Sequence, residues 1–239
     1  MQALRSIDDI ISLESEIARH RMSGRIFMYR GQSDASWPIQ TTLFRKYGNR
    51  LNCKDCWSEY VGEYNSRKRE IVSNNILAFK PTRENEDFFI LSTLRHLEFP
   101  CHLIDWSASL RTAILFACKG NYNVDGSLWI LSTDQRLNNS PITYSPFDIE
   151  KPALICKEFD LMPSDKSISD LPLGRIRRFR QKGFISIIPC NCVCDDFKSL
   201  LDDSYSLKKI IIPADSKHEI FNSLNGDNSL YDYIMANND

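Results

Sequence analysis

The chain has no apolar run that approaches the roughly 18 to 20 residues a membrane-spanning helix needs, so a helical membrane protein is excluded. It also lacks a dominant charge. Thirty Lys and Arg face 31 Asp and Glu, a formal net charge of −1, so no bulk field steers it onto nucleic acid or anionic lipid. There is no internal repeat and no low-complexity tract, which sets aside solenoids and disordered tails. The opening "MQALRSIDDIISLESEIARHR" mixes acids into its apolar residues, so it reads as neither a secretory signal nor a transit peptide, and a cytoplasmic location is expected. In that setting the eight cysteines read as thiols or metal ligands, not disulfides.

What is present is an ordinary globular composition of 239 residues, 42% hydrophobic and 26% charged, enough for one sizeable core. "SIDDIISLESEIARHR" has Ser6 as an N-cap and apolar residues at helical spacing. "RIFMYR" reads as a strand and "GQSDASWP" as the turn leaving it. Helical spacing of Trp57, Tyr60, Val61, Tyr64, Ile71 and Val72 predicts a helix over about 57–79, and "ENEDFFILSTLRHL" a second. "HLIDW" is a short strand. "SASLRTAILFACKG" is a helix stopped by Gly120, with Leu110, Ala113, Ile114 and Ala117 on one face. "GSLWILS", "GFISIIP" and "LKKIIIP" are further strands, and 133–172 is expected to be largely loop. The sum is a single α+β domain over 1–239, with a helical insertion at about 50–98.

Two stretches are too polar for their context. Arg30 ends an apolar strand and is followed by Gly31 and Gln32; His96, His102 and Asp105 punctuate the apolar segment 95–117. A guanidinium at such a place is costly unless a carboxylate of the protein or an anionic ligand answers it. An internal salt bridge between Arg30 and Asp105 is one reading. Phosphate binding is the other, because an Arg-Gly step suits close backbone approach to an anion. Either way Arg30 and residues 102–107 are expected to meet in one cleft. Asp105 is equally a catalytic carboxylate or a helix cap. His96 reads as a core histidine or an acid–base group. Trp37 and Trp106 fit core packing better than ring stacking.

These residues carry a family resemblance. Tyr29-Arg30-Gly31-Gln32 with Trp37 resembles the opening motif of the FRG domain, named for Phe-Arg-Gly. His96, Pro100, Leu103, Asp105, Trp106, Ala113, Phe116 and Ala117 match its second motif, and Arg175, Gln181, Gly183 and Phe184 a third. This chain departs from the pattern at Arg95 for Gln, Glu98 for Gly, and Cys101-His102 for Thr-Arg. The last change puts a titratable ring where a permanent fork is usual. The order of segments also resembles ADP-ribosyltransferases. That resemblance implies an ADP-ribosyltransferase-like mixed β core binding NAD or a related nucleotide. Arg30, Gly31, Gln32, His102 and Ser107 would hold it, with Asp105, Gln181 and His96 as catalytic candidates. It implies transfer of ADP-ribose to a macromolecular target, as a toxin or anti-phage effector. Gln181 is neutral, so a carboxylate, Asp105 or Glu98, must face the ribose. The alternatives are a non-catalytic nucleotide sensor or protein-interaction module, and an RNA-binding or nucleolytic protein with His96 and Asp105 as acid and base.

Two further clusters stand apart. "CKDC" at 53–56 and "CNCVC" at 190–194 offer thiols for a structural zinc, but the spacing is not that of a ribbon or finger, and core thiols are the favoured reading over zinc. "RIRRFRQK", 175–182, has five basic residues in eight and reads as a solvated edge before a nucleotide or RNA contact.

Overall fold

The computed structural model describes residues 3–74, 86–134, 154–157, 183–188 and 197–226. The first helix, α1 (Ile7–Arg21), starts at a capping box: Ser6 Oγ accepts from Asp9 N, and the Asp9 carboxylate accepts from Ser6 N at 3.0 Å. It buries Ile10, Leu13 and Ile17. Strand β1 (Ile26–Gln32) follows, then α2 (Thr42–Tyr47), a 3-10 turn (Gly48–Asn52), α3 (Lys54–Ser73) and α4 (Glu86–His96). Next come β2 (Leu103–Ser107), α5 (Leu110–Cys118), β3 (Gly126–Thr133), β4 (Leu154–Lys157), β5 (Gly183–Ile187), β6 (Tyr205–Ile212) and α6 (Ala214–Asn225).

The strands form one sheet in the order β4-β5-β2-β1-β3-β6, and every pair is antiparallel. The α+β class expected from the sequence is the class observed. β4 is a short strand inside 133–172, a stretch expected to be largely loop and mostly outside the described residues. Leu154–Lys157 is too short to stand out among prolines and serines, and its register comes from its partner β5. A correction concerns the end of β1. Gly31 and Gln32 are not yet turn; they pair with Leu128 and Ser127 of β3.

One face of the sheet carries two helical layers. Phe27, Tyr29, Leu128, Ile130, Ile210 and Ile212 pack under α1, α5 and α6. Leu103, Ile185 and Ile187 pack under α2, α3 and α4, where Tyr60 stacks on Phe99 at 5.6 Å. The opposite face buries Met28, Ile104, Trp106, Leu131 and Phe184 against Ile39 and Phe197. The seam between the two helical layers lies over β1 and β2.

Helix α5 sits unusually close to the sheet. A Cβ on Gly31 would lie 1.8 Å from the Ala113 carbonyl oxygen, and one on Gly126 would lie 2.5 Å from that of Ala117. Glycines in the strands and alanines on the helix are therefore two halves of one contact.

Buried cations tie the later elements to the motif loop. Lys217 of α6 is fully buried and donates to the carbonyls of Ser33, Gly120 and Asn121 at 2.9 Å and Val124 at 3.3 Å. Burial pulls its pKa down, and the four carbonyls replace water around the ammonium. Lys209 of β6 donates to Ala35 O at 2.5 Å and lies over the Trp129 ring.

Gly31→Ala should destabilise the fold by about 3 kcal/mol or more, because a helix backbone must retreat to admit the methyl group. Gly62→Ala in α3, where an added Cβ meets nothing within 4 Å, should stabilise by about 0.5–1 kcal/mol. Urea unfolding of the two variants against wild type checks both signs.

Candidate functional site

The strand pair at the seam is incomplete. β1 pairs with β3 along all of Ile26–Gln32, but with β2 only at Tyr29↔Ser107. Past that point the strands part, and a cleft of about 400 Å³ opens over the gap. Tyr29, Arg30 and Gly31 line it from β1, and Asp105, Trp106 and Ser107 from β2. Arg95 and Glu98 close one side from the end of α4, and Ala113 and Phe116 the other from α5. Arg30 and the 102–107 segment do meet, as expected.

The manner of their meeting differs from a salt bridge. Arg30 Nη1 donates to the main-chain oxygen of Asp105 at 2.8 Å. The Asp105 carboxylate is instead taken by Arg95, whose side chain is nearly buried while that of Asp105 is half exposed. Arg95 projects from the last turn of α4 and reaches the carboxylate first. Among the described residues Arg30 has no carboxylate partner, and its Nε is buried without a hydrogen bond. Burial, with the nearby Arg45 adding to it, pulls Arg30 down to about 10, so it stays protonated at neutral pH. This is a part-buried cation with a buried Nε and one neutral acceptor.

Glu98 owes its place to the end of α4. Phe99 N donates to Leu94 O at 3.0 Å and Glu98 N to Arg95 O at 3.2 Å, the paired bonds of a Schellman motif. Leu94 and Phe99 pack together in the core beneath it. Glu98 holds the left-handed position of that motif, at φ 62°. Glycine is favoured there for steric reasons, and that is where the FRG pattern has glycine. Glu98 is exposed and lines the cleft.

Ser107 is buried at the rim and accepts from Ser109 N at 3.0 Å, while Ser109 caps α5 through Thr112 N at 3.2 Å. The serines thus fix where α5 begins. Gly31 lines the cleft, but its lack of a side chain is used by α5, which occupies the space a Cβ would need. The expectation that this glycine admits a phosphate has a competing cause.

The other candidates do not all converge. Gln32 is buried; it accepts from Trp129 Nε1 at 2.6 Å and donates to Pro38 O at 3.1 Å, holding the turn after β1. His102 is buried outside the cleft lining, and burial drives it down to about 3, so it is a neutral core imidazole. Trp106 is buried, donates to Ser186 Oγ at 2.7 Å and packs on Phe197, while Trp37 is exposed. His96 lies in α4, and nothing is described of its side chain. Gln181, the basic run 175–182 and the cysteines at 190–194 lie outside the described residues. Sequence reasoning placed no site role on Arg95, although its departure from the pattern marked it.

A second cleft, of about 580 Å³, adjoins the first through Glu98. Its walls carry Arg45, Lys46 and Arg67 with Glu63 and Glu70, and its floor includes Leu94 and Phe99. Lys46 pairs with Glu63 at 3.4 Å and Arg67 with Glu70 at 3.1 Å.

Residues 25–125 match the FRG domain family. All the residues that line the first cleft fall inside the matched span. No curated protein and no solved structure matches the chain. No helix among the described residues is long and apolar enough to cross a membrane.

Glu98→Gly should stabilise the protein by about 1 kcal/mol, the cost of a side chain in left-handed backbone, with a higher melting temperature as readout. His102 gives a pH test. Its folded pKa is depressed below the unfolded value near 6.5. Above about pH 6.5 it imposes no penalty; as pH falls toward 3 only the unfolded chain takes the proton, and stability is lost. The slope should reach about 1.4 kcal/mol per pH unit in that window, and His102→Gln should flatten it in denaturant titrations run from pH 7 to 4.

Proposed function

We propose that this FRG-domain chain binds a phosphate-bearing nucleotide, NAD in the reading its sequence favours, in the Arg30 cleft, and transfers ADP-ribose to a macromolecule. The observation that carries the proposal is Arg30 itself. It is a part-buried guanidinium with a buried, unpaired Nε, one carbonyl partner and, among the described residues, no carboxylate. A protein that wanted Arg30 only as a strut would be expected to satisfy it as Lys217 is satisfied, with four acceptors. A phosphate supplies the negative charge and the paired acceptors that a planar fork matches. The cleft volume falls in the range of small-ligand sites.

Bound NAD supplies a ribose whose bond to nicotinamide breaks with positive charge gathering at the anomeric carbon. Glu98 and Asp105 are the carboxylates in the cleft wall. Glu98 is exposed and free to face that charge, whereas Asp105 is held by Arg95. Arg30 would bind and orient, because it has no proton to exchange usefully. The Arg95–Asp105 pair also favours a second reading, a sensor that binds the nucleotide without cleaving it, since one of the two carboxylates is already neutralised.

Arg30→Lys keeps the charge and loses the fork. It should lower stability by only about 1 kcal/mol, the net worth of one hydrogen bond, and NAD affinity by about 1.5–3 kcal/mol. Calorimetric titration and melting curves on the same two proteins measure both. A variant that binds NAD as wild type does would sink the proposal. Nicotinamide release by wild type, lost in Glu98→Gln, separates the transferase from the sensor.

A further inference from the structure

The "CKDC" motif has no part in the cleft, and its geometry points to a different chemistry. We propose that Cys53 and Cys56 are a redox-active dithiol, which exchanges with low-molecular-weight disulfides and closes reversibly into an intramolecular disulfide.

The placement rests on three observations. Cys53 is the N-cap of the 20-residue helix α3, with extended backbone at φ −84° and ψ 127°, and its thiol is exposed. Cys56 lies three residues on, in the first helical turn, and is buried at 8% exposure. Arg50, in the preceding 3-10 turn, places its Nη2 3.4 Å from the Cys56 sulfur. An exposed attacking thiol, a buried resolving thiol and a fixed positive charge are thus brought together by two turns of local structure. Helical neighbours three residues apart have Cβ atoms about 5–6 Å apart. A disulfide needs about 3.5–4.5 Å, so a small shift of the exposed N-cap residue closes the ring.

The electrostatics agree. The backbone amides of Cys56 and Asp55 hold the Cys53 thiol below the usual thiol value, with the Cys56 side chain adding to the effect. The helix N-terminus favours the same anion. Cys101 and Cys118 are buried, and burial pushes Cys118 up to about 12, so these two are poor nucleophiles. A zinc half-site is the competing use of the pair; the other thiols of that reading, at 190, 192 and 194, lie outside the described residues.

The chemistry balances without other reagents. The Cys53 thiolate attacks one sulfur of a disulfide RSSR, that S–S bond breaks, and RS⁻ leaves with the electron pair and takes up a proton. Cys56 then loses its proton and attacks the Cys53 sulfur, and the second RS⁻ leaves. Two protein thiols are oxidised, and one external disulfide is reduced to two thiols.

The test uses the full chain with excess oxidised glutathione, quenched by acid, alkylated and mapped by peptide mass. The expected result is a Cys53–Cys56 disulfide, with about two equivalents of reduced glutathione released, as the exchange stoichiometry requires. Cys56→Ser should instead stop at a glutathione adduct on Cys53, and Cys53→Ser should leave Cys56 reduced. Alkylation of Cys53 in the reduced protein should reach its plateau at lower pH than that of free glutathione. A wild-type protein whose 53–56 peptide stays reduced, or keeps a stable glutathione adduct, would overturn the proposal. So would stoichiometric zinc on the two sulfurs. The wild-type map decides the matter even where a serine variant fails to fold.

Discussion

The architecture turns on one asymmetry: β1 is fully laddered to β3 but touches β2 at a single residue pair. A strand in mid-sheet ordinarily satisfies its backbone on both sides. Here the second ladder is cut short, and a side chain does part of its work, the Arg30 fork reaching the Asp105 carbonyl. The gap is what makes the cleft. Helix α5 lies along one side of it, lowered onto Gly31 and Gly126, and the end of α4 lies along the other.

Among the described residues, three buried or part-buried cations show how differently this fold can answer a positive charge. Lys217 is surrounded by main-chain oxygens, and its role is to hold the loop after α5 and the exit of β1 together. Arg95 meets the Asp105 carboxylate and thereby joins the helical lobe to the sheet. Arg30 has neither solution within the described residues. Desolvation of a charge is costly enough that an unanswered guanidinium must be offset elsewhere in the stability of the fold. Natural proteins accept such a cost at functional sites. That reasoning is what the proposal of an anion at Arg30 rests on, beside the motif.

Much of this was legible in the sequence, for identifiable reasons. A polar residue closing an apolar strand and another inside "HLIDW" stand out because a core would reject them, and they do meet. The helices α1, α3, α4 and α5 follow from apolar spacing and from Ser6 and Gly120. Other features were hidden. Gly31 reads locally as a turn former, yet it continues the strand because β3 pairs with it, and its missing Cβ is needed by a helix more than eighty residues away. The partner of Asp105 could not be read, because Arg95 and Arg30 are equally plausible until the end of α4 is placed. Glu98 was legible as a departure from glycine and as a candidate carboxylate, but its left-handed backbone was not. Strand β4 carries too few residues to signal itself without β5.

The central claim is that the Arg30 guanidinium waits for an anion. Its Nε–H is the most direct probe, since that atom is buried and, among the described residues, without a hydrogen bond, while Arg111, held by Glu14 at 2.8 Å, serves as an internal reference. Proton–nitrogen spectra of the arginine side chains, recorded during titration with NAD and then with pyrophosphate, would follow both. A saturable shift of the Arg30 Nε resonance with slowed exchange, and no movement at Arg111, is the result this account predicts. An Arg30 resonance that stays fixed through saturating concentrations of both would contradict it.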